Sequence, residues 1–376
     1  MSDGHDDAVR VGGADAPLPP GAGAHLPPGA GVQLPHDARV RIGLGSIVAY
    51  VVLACGLAWL VALPLWLGEG LKEPYAVPLM SVMMYTPAVA VVLVLLLLRP
   101  IPKGRRLRFL GLWPLRPAKR VVWMIVIGLL APPLLVAVST AVAVLCGWLQ
   151  VDLVGFSGFS HLLASQVPAG TPLPPTAVLI AAQAASIPVA AATINAVAAF
   201  GEELGWRGFL VPALRRFGTW SSLLVSGVIW GLWHAPIILL GYDFARTDAT
   251  GVLFMIGGCV VWGVLLGWLR LRSASMWPAV FAHGALNASA AMYLWFFAWG
   301  STADPALILP LGVSGWIVGA VVILVLIVTG QFRRQPALAA DRPRTLPAPF
   351  PQPSVSGSPV TGARPDAETD PTRQRS

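Results

Sequence analysis

Charge is what this sequence has least of. Only 11% of its 376 residues are Asp, Glu, Lys or Arg, against 56% hydrophobic, whereas ordinary soluble domains carry about a quarter charged residues. That shortage excludes a soluble globular domain. Cysteine is nearly as scarce. Cys55, Cys146 and Cys259 stand far apart in apolar segments, which excludes a disulfide scaffold or a zinc ribbon. Lysine supplies 3 of the 25 cationic residues, and the bias toward Arg suggests a GC-rich, bacterial coding sequence. Residues 1–40 lack the apolar core of a cleavable signal peptide, so the first hydrophobic helix is expected to act as an uncleaved anchor. Neither end carries a lipidation motif.

What is present in excess is apolar sequence in runs of about 20 residues, the length a bilayer requires. Eight such stretches are expected at 43–68, 75–98, 121–149, 177–201 (helical through Arg216), 220–240, 251–271, 276–299 and 306–329, with a kink at Pro132-Pro133. The fold class is therefore all-α, a polytopic membrane protein of about eight transmembrane helices. Four regions are expected: a disordered Pro/Gly-rich tail at 1–42, helices one to three with an outer loop at 43–175, a helical core at 176–330, and a disordered Pro/Arg-rich tail at 331–376. The first tail contains an octad repeat, Leu18 to His25 and Leu26 to Gln33, with nothing to bury. Between the hydrophobic stretches, 23 of the Lys and Arg residues fall on one side and only Lys72 and Arg246 on the other. The positive-inside rule then places both termini in the cytoplasm. The net charge of +8 reads as topology, with the lipid bilayer as partner and no nucleic acid.

Against this background three charges are conspicuous: Glu202, Glu203 and Arg207, inside an apolar run from Ala177 to Leu214. A charged side chain at membrane depth costs at least ~2.5 kcal/mol and persists only if paired, wetted or used. Glu203 and Arg207, four apart with the acid N-terminal, suit an ion pair. Glu202 points about 100° away and has no local partner of opposite charge. Outside the N-terminal tail only three histidines occur. His161 belongs to the outer loop and reads as a surface residue. His234 and His283 lie inside the fifth and seventh stretches. Glu202 lies sixteen residues before Gly218 and His234 sixteen after it, so an antiparallel hairpin places them at matching depth. Asn287 follows His283 by one turn on the same face. Trp230, four residues before His234, reads as packing that orients the ring.

A Glu in apolar surroundings, two imidazoles and an amide are the parts of a peptide hydrolysis without a covalent intermediate: a base for water, a proton carrier, and donors to an oxyanion. The chain has no Gly-x-Ser-x-Gly elbow and no evident Cys–His pair, which argues against a Ser or Cys nucleophile. The same Glu202, His234 and His283 could instead hold a divalent metal such as Zn²⁺ with a water. No His-Glu-x-x-His is present, so that alternative is open rather than indicated, and no cofactor is required.

Three segments, Glu202-Glu203-Leu204-Gly205-Trp206-Arg207, Trp230-Gly231-Leu232-Trp233-His234 and His283-Gly284-Ala285-Leu286-Asn287, occur in order on separate helices. This pattern resembles the CAAX-protease and bacteriocin-processing (CPBP, or Abi) family of intramembrane proteases, over roughly 176–300. The family shows Glu-Glu-x-x-x-Arg, Phe-x-x-x-His and His-x-x-x-Asn/Asp, so Trp230 departs from the usual Phe. The resemblance implies a CAAX-type, glutamate-dependent endopeptidase with a cavity open to the cytoplasmic side. Glu202 and His234 would activate water, His283 and Asn287 would hold the oxyanion, and Glu203, Arg207 and Trp230 would support them. Its substrate would be a membrane-embedded or membrane-associated peptide or protein. Without prenylation in bacteria, a CAAX substrate is not expected. Two alternatives remain: a non-catalytic scaffold or bacteriocin self-immunity protein of the same family, and an ion-coupled transporter.

Overall fold

The computed structural model describes residues 40–333. The expected disordered tails, 1–42 and 331–376, lie outside the described residues except at their innermost positions. Among the described residues the structure is all-helical apart from one isolated bridge between Val151 and Phe297. α1 (Leu44–Leu67) leads to α2 (Ala76–Met83) and α3 (Thr86–Leu97), which together form the second span. A basic loop holding α4 (Arg106–Leu110) precedes α5 (Ala118–Leu145), which runs as one helix through Pro132 and Pro133. α6 (Ser157–Ser165) lies in the long loop that follows α5. α7 (Thr176–Ala192), α8 (Ile194–Glu203), a π-helical turn (Leu204–Leu210) and α9 (Val211–Leu214) carry the chain back. α10 (Thr219–Trp233), α11 (Ala235–Ile238), α12 (Ala249–Ser273), α13 (Trp277–Ser289), α14 (Pro305–Ile308) and α15 (Val313–Val328) complete it.

Among the described residues five helical segments are long and apolar enough to cross a membrane, and a sixth if α7 with the bent segment after it counts as one span. The multi-pass membrane class holds; six of the eight expected stretches reach spanning length as helices. The two shortfalls are the stretches that bear the histidines. Pro236 cannot continue the backbone ladder, and α10 ends at Trp233, 15 residues long. α13 stops after 13 residues.

The expected single helix from 177 to Arg216 is also broken, and the break has identifiable causes. Pro188 has no N–H to give, and Thr193 leaves helical geometry (φ −116°, ψ −97°), bending the axis by 42°. Freed carbonyls are caught locally: Thr193 Oγ1 donates to Val189 O at 2.7 Å and Asn195 Nδ2 to Ala190 O at 3.2 Å. Gly284 of α13 fits against the break, where a Cβ would stand 2.6 Å from Ala191 O. The bend thus lets α8 lie directly along α13.

Without a hydrophobic drive between helices in lipid, close approach depends on small residues. Ala54, Ala58 and Ala62 line the buried face of α1. α10 and α12 pack antiparallel through Gly227, Gly231, Gly263 and Gly267. A Cβ on Gly231 would lie 2.5 Å from Ile256 Cα, so Gly231→Ala must push two helices apart. Overpacking of this kind costs roughly 1–3 kcal/mol. Gly231→Ala is expected to lower the thermal unfolding midpoint in detergent by several degrees, whereas Gly56→Ala, with open space around it, leaves it unchanged.

Candidate active site

The three buried charges are resolved by side chains from three directions. Glu203 Oε1 accepts from Arg207 Nη1 at 2.7 Å and from His283 Nδ1 at 2.9 Å. The ion pair expected within the helix is present, and it extends to α13. Glu202, Glu203, Arg207 and His283 are all buried. Glu202 has no cationic partner but is not alone: its Oε2 accepts from the indole N–H of Trp230 at 2.6 Å and of Trp206 at 3.4 Å. Its Oε1 takes no hydrogen bond among the described residues. The carboxylate is therefore held on one side and free on the other.

Trp230 does more than pack. Its ring lies 4.4 Å beneath the Arg207 guanidinium and meets His283 edge-on at 5.3 Å. Its backbone carbonyl lies 2.9 Å from His234 Nδ1. A carbonyl only accepts, so His234 carries its proton on Nδ1 and presents the lone pair of Nε2. The carboxylate beside His283 fixes that ring the same way, with Nδ1–H donating to Glu203. Nε2 of each ring has no protein partner among the described residues.

The free faces of these groups meet one cavity of about 410 Å³. Glu202, Trp230, Trp233, His234, His283 and Asn287 line its floor, and Val77, Met80, Met84, Leu309 and Leu311 its apolar walls. Asn287 is exposed to it. All four expected catalytic residues are thus brought to one space, although no hydrogen bond joins Glu202 directly to His234. His161 stays in the outer loop, stacked on Trp299 at 3.3 Å.

Several residues escaped the sequence. Trp206 stands one turn after Glu202, a spacing that could have marked it. Cys259 Sγ lies 3.8 Å from His234 Nδ1 and lines the cavity, so a Cys–His contact does exist. It does not create a nucleophile: Nδ1 already donates its proton to the Trp230 carbonyl, and cannot take one from the thiol. Asp243 also lines the cavity, from a turn with φ +60° in the outer loop 239–248. Burial pushes its carboxyl up to about 7, so its charge changes near neutral pH. Arg270 is buried in the last turn of α12, donating from Nε to Arg207 O and from Nη2 to Phe109 O, each at 2.9 Å.

A zinc site needs three or more converging N, O or S donors at about 2.0–2.3 Å. Among the described residues no group of three His, Cys, Asp or Glu could hold a metal.

Glu202, His234, His283 and Asn287 thus line one cavity inside a polytopic helical bundle. Residues 184–289 match the family model described as type II CAAX prenyl endopeptidase Rce1-like. All three motifs fall inside the matched residues. The family is one of CAAX-type endopeptidases. No curated protein matched the chain.

Removing one partner of a buried ion pair typically costs 3–5 kcal/mol, because the other charge is left stranded. Arg207→Met and Glu203→Gln are each expected to lower the unfolding midpoint sharply. The double variant Glu203→Gln/Arg207→Met is expected to recover part of the loss, a coupling measurable by a thermal double-mutant cycle.

Proposed function

We propose that this protein is a glutamate-type intramembrane endopeptidase that hydrolyses a peptide bond in a membrane-associated protein or peptide. The observation carrying this reading is the one-sided hydrogen bonding of Glu202. Two indole donors hold Oε2 in place, and Oε1 is left toward a cavity shared with His234, His283 and Asn287.

A water between Glu202 Oε1 and His234 Nε2 can give one hydrogen bond to each, since both are acceptors. Its oxygen adds to the scissile carbonyl carbon as Glu202 takes a proton. Asn287 Nδ2–H donates to the oxyanion, joined by His283 Nε2–H when the ring is in its imidazolium form, with Glu203 compensating the charge at Nδ1. The tetrahedral intermediate collapses as the C–N bond breaks. The proton passes to the leaving amine, by way of the His234 ring. Glu203 and Arg207 act through His283 and Trp230 and never touch the substrate. No step needs a metal. The composition supports placement in a bacterial plasma membrane.

General acid–base groups contribute roughly 10²–10⁴-fold. Purified protein in detergent is therefore expected to cleave members of a quenched membrane-peptide library. Glu202→Gln and His234→Ala should each lower turnover by about that factor, and a chelator should leave wild-type turnover unchanged. Wild-type protein inert across the library, or Glu202→Gln as active as wild type, contradicts the reading and leaves the scaffold alternative.

A further inference from the structure

Two expectations, that the basic loops are cytoplasmic and that the cavity opens to the cytoplasm, cannot both hold in this fold. Every element that lines the cavity's rim does so near its end remote from the basic loops. Val77, Met80, Ser81 and Met84 belong to the first turns of the span that starts at Ala76 and runs toward the basic loop. Tyr242 and Asp243 follow α11, Ala290 follows α13, and Leu309, Pro310 and Leu311 precede α15. The direction of α13 is set by contacts at both ends. At its start, Met276 N donates to Gly111 O at 3.1 Å; just beyond its end, Asp152 N donates to Phe296 O at 2.8 Å. Gly111 belongs to the basic loop, and Asp152 to the long loop on the other side.

On the basic side the site is shut. No residue of the loops 98–117, 215–218 or 274–276 lines the cavity. Arg270 ties the backbone of Arg207 to that of Phe109 directly beneath the site, and Ser275 Oγ donates to Gly111 O at 3.0 Å. Gly111, at φ +74°, leaves no room above the Arg270 guanidinium: a Cβ there would lie 2.7 Å from Cζ.

We infer that the cavity opens on the extracytoplasmic face, and that the substrate is a peptide segment presented from outside the cytoplasm or from the outer half of the bilayer. The substrate statement rests on the proteolytic reading of the site; the side of the opening does not. The distribution of 23 Lys and Arg residues on the basic side against two on the other sets which face is cytoplasmic, because short loops rich in Lys and Arg are retained there. A membrane-inserted or exported chain fits this geometry. A prenylated C-terminus displayed in the cytoplasm does not.

Side-specific thiol labelling tests the inference. In a chain with Cys55, Cys146 and Cys259 replaced, single cysteines are introduced by Asp243→Cys at the rim, Tyr75→Cys beside the start of α2, and Phe217→Cys in the basic turn. Each is exposed to a membrane-impermeant maleimide in intact cells and in inverted vesicles. Asp243→Cys and Tyr75→Cys are expected to label at least tenfold faster from outside the cell, and Phe217→Cys at least tenfold faster in inverted vesicles. Labelling of Asp243→Cys and Tyr75→Cys from the cytoplasmic face alone, or from neither face, overturns it. Two positions on the side of the opening keep the test decisive if one variant fails to fold. Peptide cleavage in detergent is blind to sidedness, so a failure of the chemistry is read separately from a failure of the orientation.

Discussion

Three charges buried in an apolar bundle are the constraint on which this structure turns. Glu202, Glu203 and Arg207 lie within six residues of one helical segment, and none retains appreciable solvent contact. Bulk solvent barely reaches them, so the protein must compensate them. Arg207 and His283 converge on one oxygen of Glu203, and two indoles converge on one oxygen of Glu202. Because the partners come from α10 and α13 as well as from the helix itself, satisfying the charges also fixes how these elements pack. The groups that would do chemistry are then the lone pairs and protons left over.

The irregular features of the fold serve the same end. The bend at Thr193 brings α8 against α13, and the π-helical turn lies immediately after the two glutamates, where Arg207 must reach back to Glu203. π-turns inside helices occur mostly as local insertions and often at functional sites. α10 ends at the histidine it carries, and α13 is short. Both can be incomplete as spans because neighbouring helices, rather than lipid, surround much of them, and buried irregular backbone is tolerated at membrane depth for that reason.

Much of this was legible from residue types and spacing. The charge scarcity identified the class, the four-residue interval identified the Glu203–Arg207 pair, and matching distances from Gly218 brought Glu202 and His234 to one cavity. What was not legible depends on side-chain direction and on breaks. Nothing in a run such as 177–216 announces that Thr193 and Asn195 will cap a broken helix from within. Trp230 could be placed at the right depth, but not the aim of its N–H. Cys259 and His234 are 25 residues apart and meet only because glycines let α10 and α12 approach closely. Hydropathy registers length and polarity, so it read two interrupted helices as continuous. Nor does it register that the Arg270 side chain turns inward to tie two backbone segments together.

Trp230 is the point at which these features meet. The motif that the sequence resembles has Phe at this position, and Phe offers an aromatic ring without a donor. The direct measurement is therefore the steady-state kinetics of Trp230→Phe on a peptide that the wild type cleaves. A hydrogen bond to a charged group is worth about 1.5–3 kcal/mol, so kcat should fall roughly ten- to a hundredfold with KM little changed, since the donor acts on Glu202 and not on bound peptide. A kcat equal to that of wild type would contradict the account, because the indole N–H would then not be what holds Glu202 in place.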